Sequence, residues 1–461
     1  MATVYVDKDG NNSNNGARDT PVLNIATAAA LIQSSGENNS EIIIKDSGVY
    51  QEGGIGSGNP NVTVTGLTIM AETGSDGLPI NSPSMQGSGS GNNQNFAIFC
   101  AEGWTVKGIT FKDYDIGTST SNGVIRNRNP STDDDGITVE LCTFQHLTGT
   151  CINFSNGSNN PLIHKIKSNT FHDIRGASSQ QYMIKLSNTN QQRKAQIFNN
   201  VFYDWQPRST SDSFIFCGTT NDQLPLIVIS HNVFGTSSVE ASEGAIVRPQ
   251  YSVNAPGAKF EYNIIVDQTT AGSNSSFALI DSGEANYNIF NNVAGTSAHS
   301  PFGRSAAPTG AVNNQEIDPK FKGPLLIGDN ANYRLVGTES PAFDAAIGST
   351  DVTNDRTGGS RAVLDRTALN TGIFDIGAFE LTGLFSAESP DELAQIGSDF
   401  TINRIPNADN QNQRALQEGN SGKIGQNVDQ VPFSTALNGA VPTLIRERPT
   451  AYKQDNGKKG N

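Results

Sequence analysis

Apolar residues in this chain fall in short runs that return in the same order about every 30 residues. One run reads Ile163-His-Lys-Ile166, Ala195-Gln-Ile-Phe198, Ile227-Val-Ile229 and Phe260-Glu-Tyr262. A second follows it at once: Asn169-Thr-Phe171, Asn200-Val-Phe202, Asn232-Val-Phe234, Asn263-Ile-Ile265 and Asn292-Val-Ala294, with gaps of 31, 32, 31 and 29 between the asparagines. Upstream, Ile109-Thr-Phe111 and Cys142-Thr-Phe144 fill the same slot. A third run comes about ten residues later: Cys151-Ile-Asn-Phe154, Met183-Ile-Lys-Leu186, Phe214-Ile-Phe216, Ala245-Ile-Val247 and Phe277-Ala-Leu-Ile280. Branched and aromatic residues bounded by Gly, Asn and Ser predict strands. A fixed period of this size predicts a solenoid whose units pack only on their neighbours.

Three strands per turn, each stacked on its equivalent in the next turn, make a parallel β-helix with equivalent residues about 4.8 Å apart. Asn169, Asn200, Asn232, Asn263 and Asn292 are expected to form a structural ladder, each taking a left-handed corner and bonding its amide to the next rung. The one helical stretch, Ile25-Ala-Thr-Ala-Ala-Ala-Leu-Ile32 after Thr20-Pro21, is placed to cover the N-terminal end, where edge strands invite aggregation.

Two segments carry a resemblance. Val4-Tyr-Val-Asp-Lys-Asp-Gly10, Asn15-Gly16, Thr20-Pro21 and the Ala-rich helix resemble the N-terminal cap of pectate-lyase-like right-handed β-helix proteins. Asp318-Pro-Lys-Phe321, Tyr333-Arg-Leu335, Ser340-Pro-Ala-Phe-Asp344, Asp355-Arg-Thr-Gly358, Arg361 and Asp375-Ile-Gly-Ala-Phe-Glu380 resemble the closing segment of such proteins. The resemblance, over residues 1 to 382, implies a right-handed parallel β-helix associated with carbohydrate. It implies no particular activity, because this fold hosts lyases, hydrolases, adhesins and phage tailspikes. The expected fold is therefore all-β, with a capping segment over 1–35, coils over 36–300, a closing segment over 301–382 and an extended, non-repetitive arm over 383–461.

The 461 residues carry 31 basic and 45 acidic side chains, a formal charge of −14. That balance argues against nucleic acid, whose phosphates need concentrated Lys and Arg. No apolar run approaches the length of a membrane span. A surface rich in Asn, Ser, Thr, Gly and Gln suits a glycan-facing shaft. Met1-Ala-Thr-Val-Tyr-Val6 starts the fold with no basic and apolar leader, so either a leader was removed or the protein folds in a host cytoplasm and leaves by lysis. Cys100, Cys142, Cys151 and Cys217 have no metal spacing and read as buried free thiols. No metal and no cofactor is expected; Asp7-Lys-Asp-Gly10 lacks the closing glutamate of a calcium loop and reads as a turn.

After residue 382 the period stops. Ser389-Pro-Asp-Glu392 is a helix start, Asn407 to Asn427 is a polar stretch that does not fold alone, and Arg446 to Lys459 is basic. This tail reads as an arm that folds on other assembly proteins or on further copies of the chain. A homo-oligomer, possible as a trimer, is expected, although no coiled-coil heptads enforce it.

Two residues beyond the aromatic of each repeat stands a column: Asp113, His146, Asp173, Asp204, Thr236 and Asp267. Asp173 and Asp204, on consecutive coils, are the candidate catalytic pair, since two stacked carboxylates suit glycoside hydrolysis and one would hold its proton in the other's field. His172 and Arg175 are candidate contacts for an acidic sugar, and Tyr203 and Trp205 a candidate flat stacking surface. Two other accounts of the column stay open: aspartates that cap turns through the following amides, and a bound cation. Arg126 and Arg128 with Asp133-Asp-Asp135 imitate a lyase set but stand in an apparent loop insertion, and no family residue is carried over onto them.

Three functions follow. The first is a tailed-phage virion protein, a fibre, spike or capsid decoration, presenting the β-helix to host-surface polysaccharide. The second is a polysaccharide hydrolase or lyase, including a phage depolymerase. The third is a secreted or cell-surface bacterial adhesin.

Overall fold

The structure, a computed structural model, describes residues 1–52, 54–56, 60–87, 96–117, 122–127, 136–156, 163–176, 182–188, 194–206, 213–219, 227–235, 237–239, 244–249, 258–270, 277–278 and 284–293, with short pieces from 313 to 379. The chain divides into Met1–Leu381 and Thr382–Asn461, and every described residue lies in the first unit. The proposed arm, Thr236 and Arg128 with Asp133–Asp135 lie outside the described residues.

Three sheets run along the solenoid, the third starting only at Ile98, and the pairings within each are parallel. The first begins with Thr3–Val6 and Glu41–Ile44 and ends with Ala258–Glu261 and Glu284–Asn286. The second includes Thr110–Lys112, Thr143–Thr148, Thr170–Arg175, Val201–Phe202, Val233–Phe234, Ile264–Thr270 and Ile289–Val293. The third holds Ile98–Cys100, Ile125–Asn127, Ile152–Asn156, Tyr182–Asn188, Ser213–Thr219, Gly244–Pro249 and Phe277–Ala278. This is the parallel β-helix that the period predicts.

Register comes from the side chains that must be inside. Phe111, Phe144, Phe171, Phe202 and Phe234 are fully buried and stack ring on ring, with successive centroids 5.2, 4.8, 4.7 and 4.9 Å apart. That is the strand spacing itself, so each ring sits on its equivalent one rung below. Val106, Val139, Ile166, Ile197 and Ile229 form the matching buried row of the first sheet. Outside that sheet, Glu140 bridges Lys107 and Lys167 on the neighbouring rungs, at 3.2 and 2.5 Å. The four cysteines are buried free thiols.

The asparagine ladder runs Asn169, Asn200, Asn232, Asn263, Asn288, Asn314, each Nδ2 donating to the next Oδ1 at 2.9–3.1 Å. Each of those oxygens also accepts the backbone N–H of the preceding asparagine. Two expectations need correction. Asn292 is not the fifth rung. The coil is shorter there, and register pairs Ile265 with Phe290, so the repeated phrase is Asn288-Ile-Phe290. Nor do the ladder residues take the left-handed corner: the residue before each does, with φ of 55–59° at Ser168, Asn199, His231, Tyr262, Tyr287 and Asn313. The turn precedes the asparagine and aims its amide along the axis.

The helix Ile25–Ser35 packs Ile25, Ala28, Ala29 and Ile32 onto the N-terminal coil. Its first amides, at Ile25 and Ala26, donate to the Glu52 carboxylate at 2.9 and 2.6 Å. Asp7 accepts the Asp9 N–H at 3.0 Å in the expected turn.

The closing segment lies along the flank. Tyr333, Leu335, Ala342, Ile376 and Ala378 pack on Val201, Val233, Ile264 and Ile289, the outward row of the second sheet. On earlier coils the same row reads Thr110, Thr143, Thr170. The outward slot turns apolar where the strap covers it. Arg356 pins the strap: Nη1 donates to the Asn169 carbonyl at 2.5 Å and Nη2 to Thr170 Oγ1.

Candidate functional site

The acidic column sits where the second sheet ends. Asp113, His146, Asp173 and Asp204 all take left-handed backbone, with φ of 59, 53, 48 and 50°. Asp and His tolerate that conformation better than branched residues, which accounts for the residue types. The capping half of the turn account is not what the side chains do. Asp7, Asp46, Asp76 and Asp318 each accept the amide two residues on. Asp113 instead accepts from Gln86 Nε2 at 2.7 Å, and Asp173 faces His146 Nε2 at 3.1 Å and Arg175 Nε at 3.8 Å.

Register stacks Asp204 one rung from Asp173, since Phe171 pairs with Phe202 and Ile174 with Trp205. Asp204 is 5% exposed, and its Oδ1 is buried with no hydrogen bond. Burial holds its carboxyl above the usual aspartate range, and the Asp173 charge adds to this. A hydrogen bond from Gln206 and the charges of Arg175 and His146 oppose it. Among the described residues, no three His, Cys, Asp or Glu side chains converge as metal ligands.

The expected sugar platform is corrected. Trp205 is 1% exposed, because it pairs with the inward Ile174 and packs on Phe214. Tyr203 is 5% exposed beneath Tyr333 of the strap, and His172 is 3% exposed, stacked on Tyr203 and bonded to Gln145. Parity buries the first and the strap covers the second. Of the proposed contacts, Arg175 is open, its side chain 56% exposed.

A row that the sequence reading passed over stands on the third sheet. Register aligns Phe99, Arg126, Asn153, Lys185, Phe216 and Arg248 across six successive rungs. Their neighbours Ile125, Ile152, Ile184, Ile215 and Val247 are buried inward. Arg126 therefore belongs to a strand, not to a loop insertion. Its guanidinium lies 4.8 Å over the Phe99 ring centroid and 5.8 Å from that of Phe96. Asn153 is buried and donates to the Asn122 carbonyl, and Phe216 is buried against Tyr182. Arg126 and Lys185 are half-buried, and burial lowers the pKa of both. The row holds three basic residues and no acid. The runs alone do not give it, because Ala245-Ile-Val247 starts one residue early in register and Arg248 lies just beyond it.

By sequence the chain matches no family model and no curated protein. Among solved structures it is similar to a pectin methylesterase from Aspergillus niger, with 11% identity over 68% of this chain and 90% of that one and a TM-score of 0.36. It is also similar to a pectate lyase (13% identity, 83% and 97% covered, TM-score 0.34) and to a rhamnogalacturonan lyase (8%, 78% and 95%, 0.33). The sheets themselves define the class: a parallel β-helix, the fold that the pectate-lyase-like resemblance implies.

Proposed function

We propose that the chain binds an anionic polysaccharide laid along the outer face of the third sheet. The row Arg126, Lys185 and Arg248, on a protein whose formal charge is −14, carries this reading. The net charge repels polyanions at long range, so a local line of cations is what attraction requires. Arg126 and Lys185 are half-buried, so they have already shed part of their water and gain more from a carboxylate than exposed cations do. Titrating the protein with alginate and with its carboxyl-reduced neutral form tests the reading. Binding of the charged polymer alone, weakening with salt, is expected; equal binding of the neutral form contradicts it.

A second reading, hydrolysis at the acidic column, is favoured by the Asp204 carboxyl, which burial and Asp173 keep protonated to higher pH. Asp173→Asn and Asp204→Asn should each abolish release of reducing ends. Failure of the unaltered protein to release any from acidic or neutral polysaccharides rejects it.

The setting we propose is the surface of a tailed-phage virion, with 383–461 as the anchoring arm. The non-repetitive, polar sequence of that segment supports it. Full-length protein should assemble while a chain ending at Leu381 stays monomeric; two monomers would reject the arm as a self-association device.

A further inference from the structure

The row on the third sheet is open at its N-terminal end. Asn153 is 1% exposed and Phe216 5%, whereas Phe96, Phe99 and Arg126 are each partly exposed. Close backbone approaches hold the aromatics in place. A Cβ at Gly54 would stand 2.1 Å from the Phe96 ring and one at Gly56 2.2 Å from the Phe99 carbonyl oxygen, so the segment carrying both rings lies on bare backbone. The Ile55 N–H donates to the Ala97 carbonyl at 2.8 Å, and the Phe99 N–H to the Ile55 carbonyl at 2.7 Å. The two ring centroids are 5.3 Å apart, with the planes 33° from parallel. The Arg126 guanidinium lies over the pair. Among the described residues no carboxylate answers this charge: burial alone shifts its pKa, and downward.

We infer that this corner is a subsite for a single sugar bearing a carboxylate on a ring carbon, a uronic or ulosonic acid, with the carboxylate in the Arg126 fork and the C–H face on Phe96. This rests on the anionic-glycan reading above and adds which group is gripped and where. A guanidinium stacked on aromatic rings is held flat, and its rim presents paired N–H donors that match the two oxygens of a carboxylate. A partly desolvated cation with no acid beside it gains more from such an anion than one already paired. Phe96, its centroid 5.8 Å from the guanidinium, offers an apolar face next to the charge. In a uronic acid the charge and the C–H face belong to one rigid ring, so a single sugar meets both. A sulfate ester carries its charge on a rotatable linkage, which must be ordered before the same two contacts form.

Saturation-transfer NMR on the full chain tests this with methyl glycosides of glucuronate, galacturonate and N-acetylneuraminate. The comparators, at the same ionic strength, are methyl glucoside and a glucose carrying a sulfate ester on its exocyclic oxygen. At least one carboxylated sugar is expected to bind about tenfold more tightly than either comparator, with transfer strongest at its C–H face. Arg126→Lys, which keeps the charge and loses the fork, should weaken that sugar about fivefold. Phe96→Ala should weaken it about threefold. Circular dichroism of both variants should match the parent's, and where one does not fold the sugar comparison on the parent still decides. The sulfated sugar binding as tightly as the best carboxylated one, or unchanged affinity in Arg126→Lys, overturns the subsite. So does binding of alginate but of no carboxylated sugar, which leaves the anionic-glycan reading in place. Binding of neither alginate nor any sugar overturns both.

Discussion

Arg356 donates to the main-chain carbonyl of Asn169, 187 residues earlier, at the coil where the strap first meets the second sheet. Desolvation pushes its guanidinium down to about 10, so the ion remains charged at neutral pH. Removing the cation takes a donor from the Thr170 hydroxyl and the second donor from the Asn169 carbonyl, which keeps the Val201 N–H. Arg356→Ala is expected to cost about 2–3 kcal/mol. Hydrogen exchange should quicken at Val201, Val233 and Ile264 with the coil core still protected; uniform loss of protection would contradict a separable strap.

Gly235 offers a second way to lift the strap. A Cβ there would collide with the Tyr333 ring. Gly235→Ala should therefore displace Tyr333 and raise binding of an apolar dye to the row beneath, without altering the phenylalanine stack. An unchanged dye signal and melting point would mean that the ring does not rest there.

The ladder predicts a sharp contrast between two asparagines only four residues apart. Asn232 accepts from Asn200 and donates to Ile197, Ser230 and Asn263, so Asn232→Ala strands several buried groups and should cost about 3 kcal/mol or more. Asn288→Ala should cost a comparable amount and Asn292→Ala much less. Denaturant midpoints for the three variants check this, and equal losses at 288 and 292 would put the ladder register in error.

Asp204 gives a pH signature. A carboxyl raised in the folded state binds its proton more tightly folded than unfolded. Stability therefore falls as pH climbs from the ordinary aspartate value, about 3.9, through the folded one, and stays lower above it. Asp204→Asn should melt higher than the parent at neutral pH, with the gain shrinking in acid. A loss of stability at neutral pH would make the carboxylate itself structural.

The solenoid, its period and its inward rows were legible because burial demands the same residue types at the same register in every coil. The corner column was legible too, by counting from the phenylalanines. Side-chain direction was not. Tyr203 and Trp205 read as sugar platforms because period alone does not say which face a residue takes, nor that a strap 130 residues downstream covers it. Asn292 was taken for Asn288 because the phrase recurs by chance on a shortened coil. The switch from Thr170 to Val201, Val233 and Ile264 announced the covered flank, whereas the cation row needed the strand register, because aligning the third runs on Asn153 and Lys185 brings Val247, not Arg248, into line.

The measurement that bears most directly on the account is the salt dependence of polyanion binding. Alginate affinity would be followed with rising salt for the parent and for a triple variant with Gln at 126, 185 and 248. A line of cations predicts that log affinity falls linearly with log salt, and that the triple variant binds at least tenfold more weakly with a shallower slope. A triple variant that folds, binds as tightly as the parent and shows the same slope would contradict the claim that the third sheet holds the glycan.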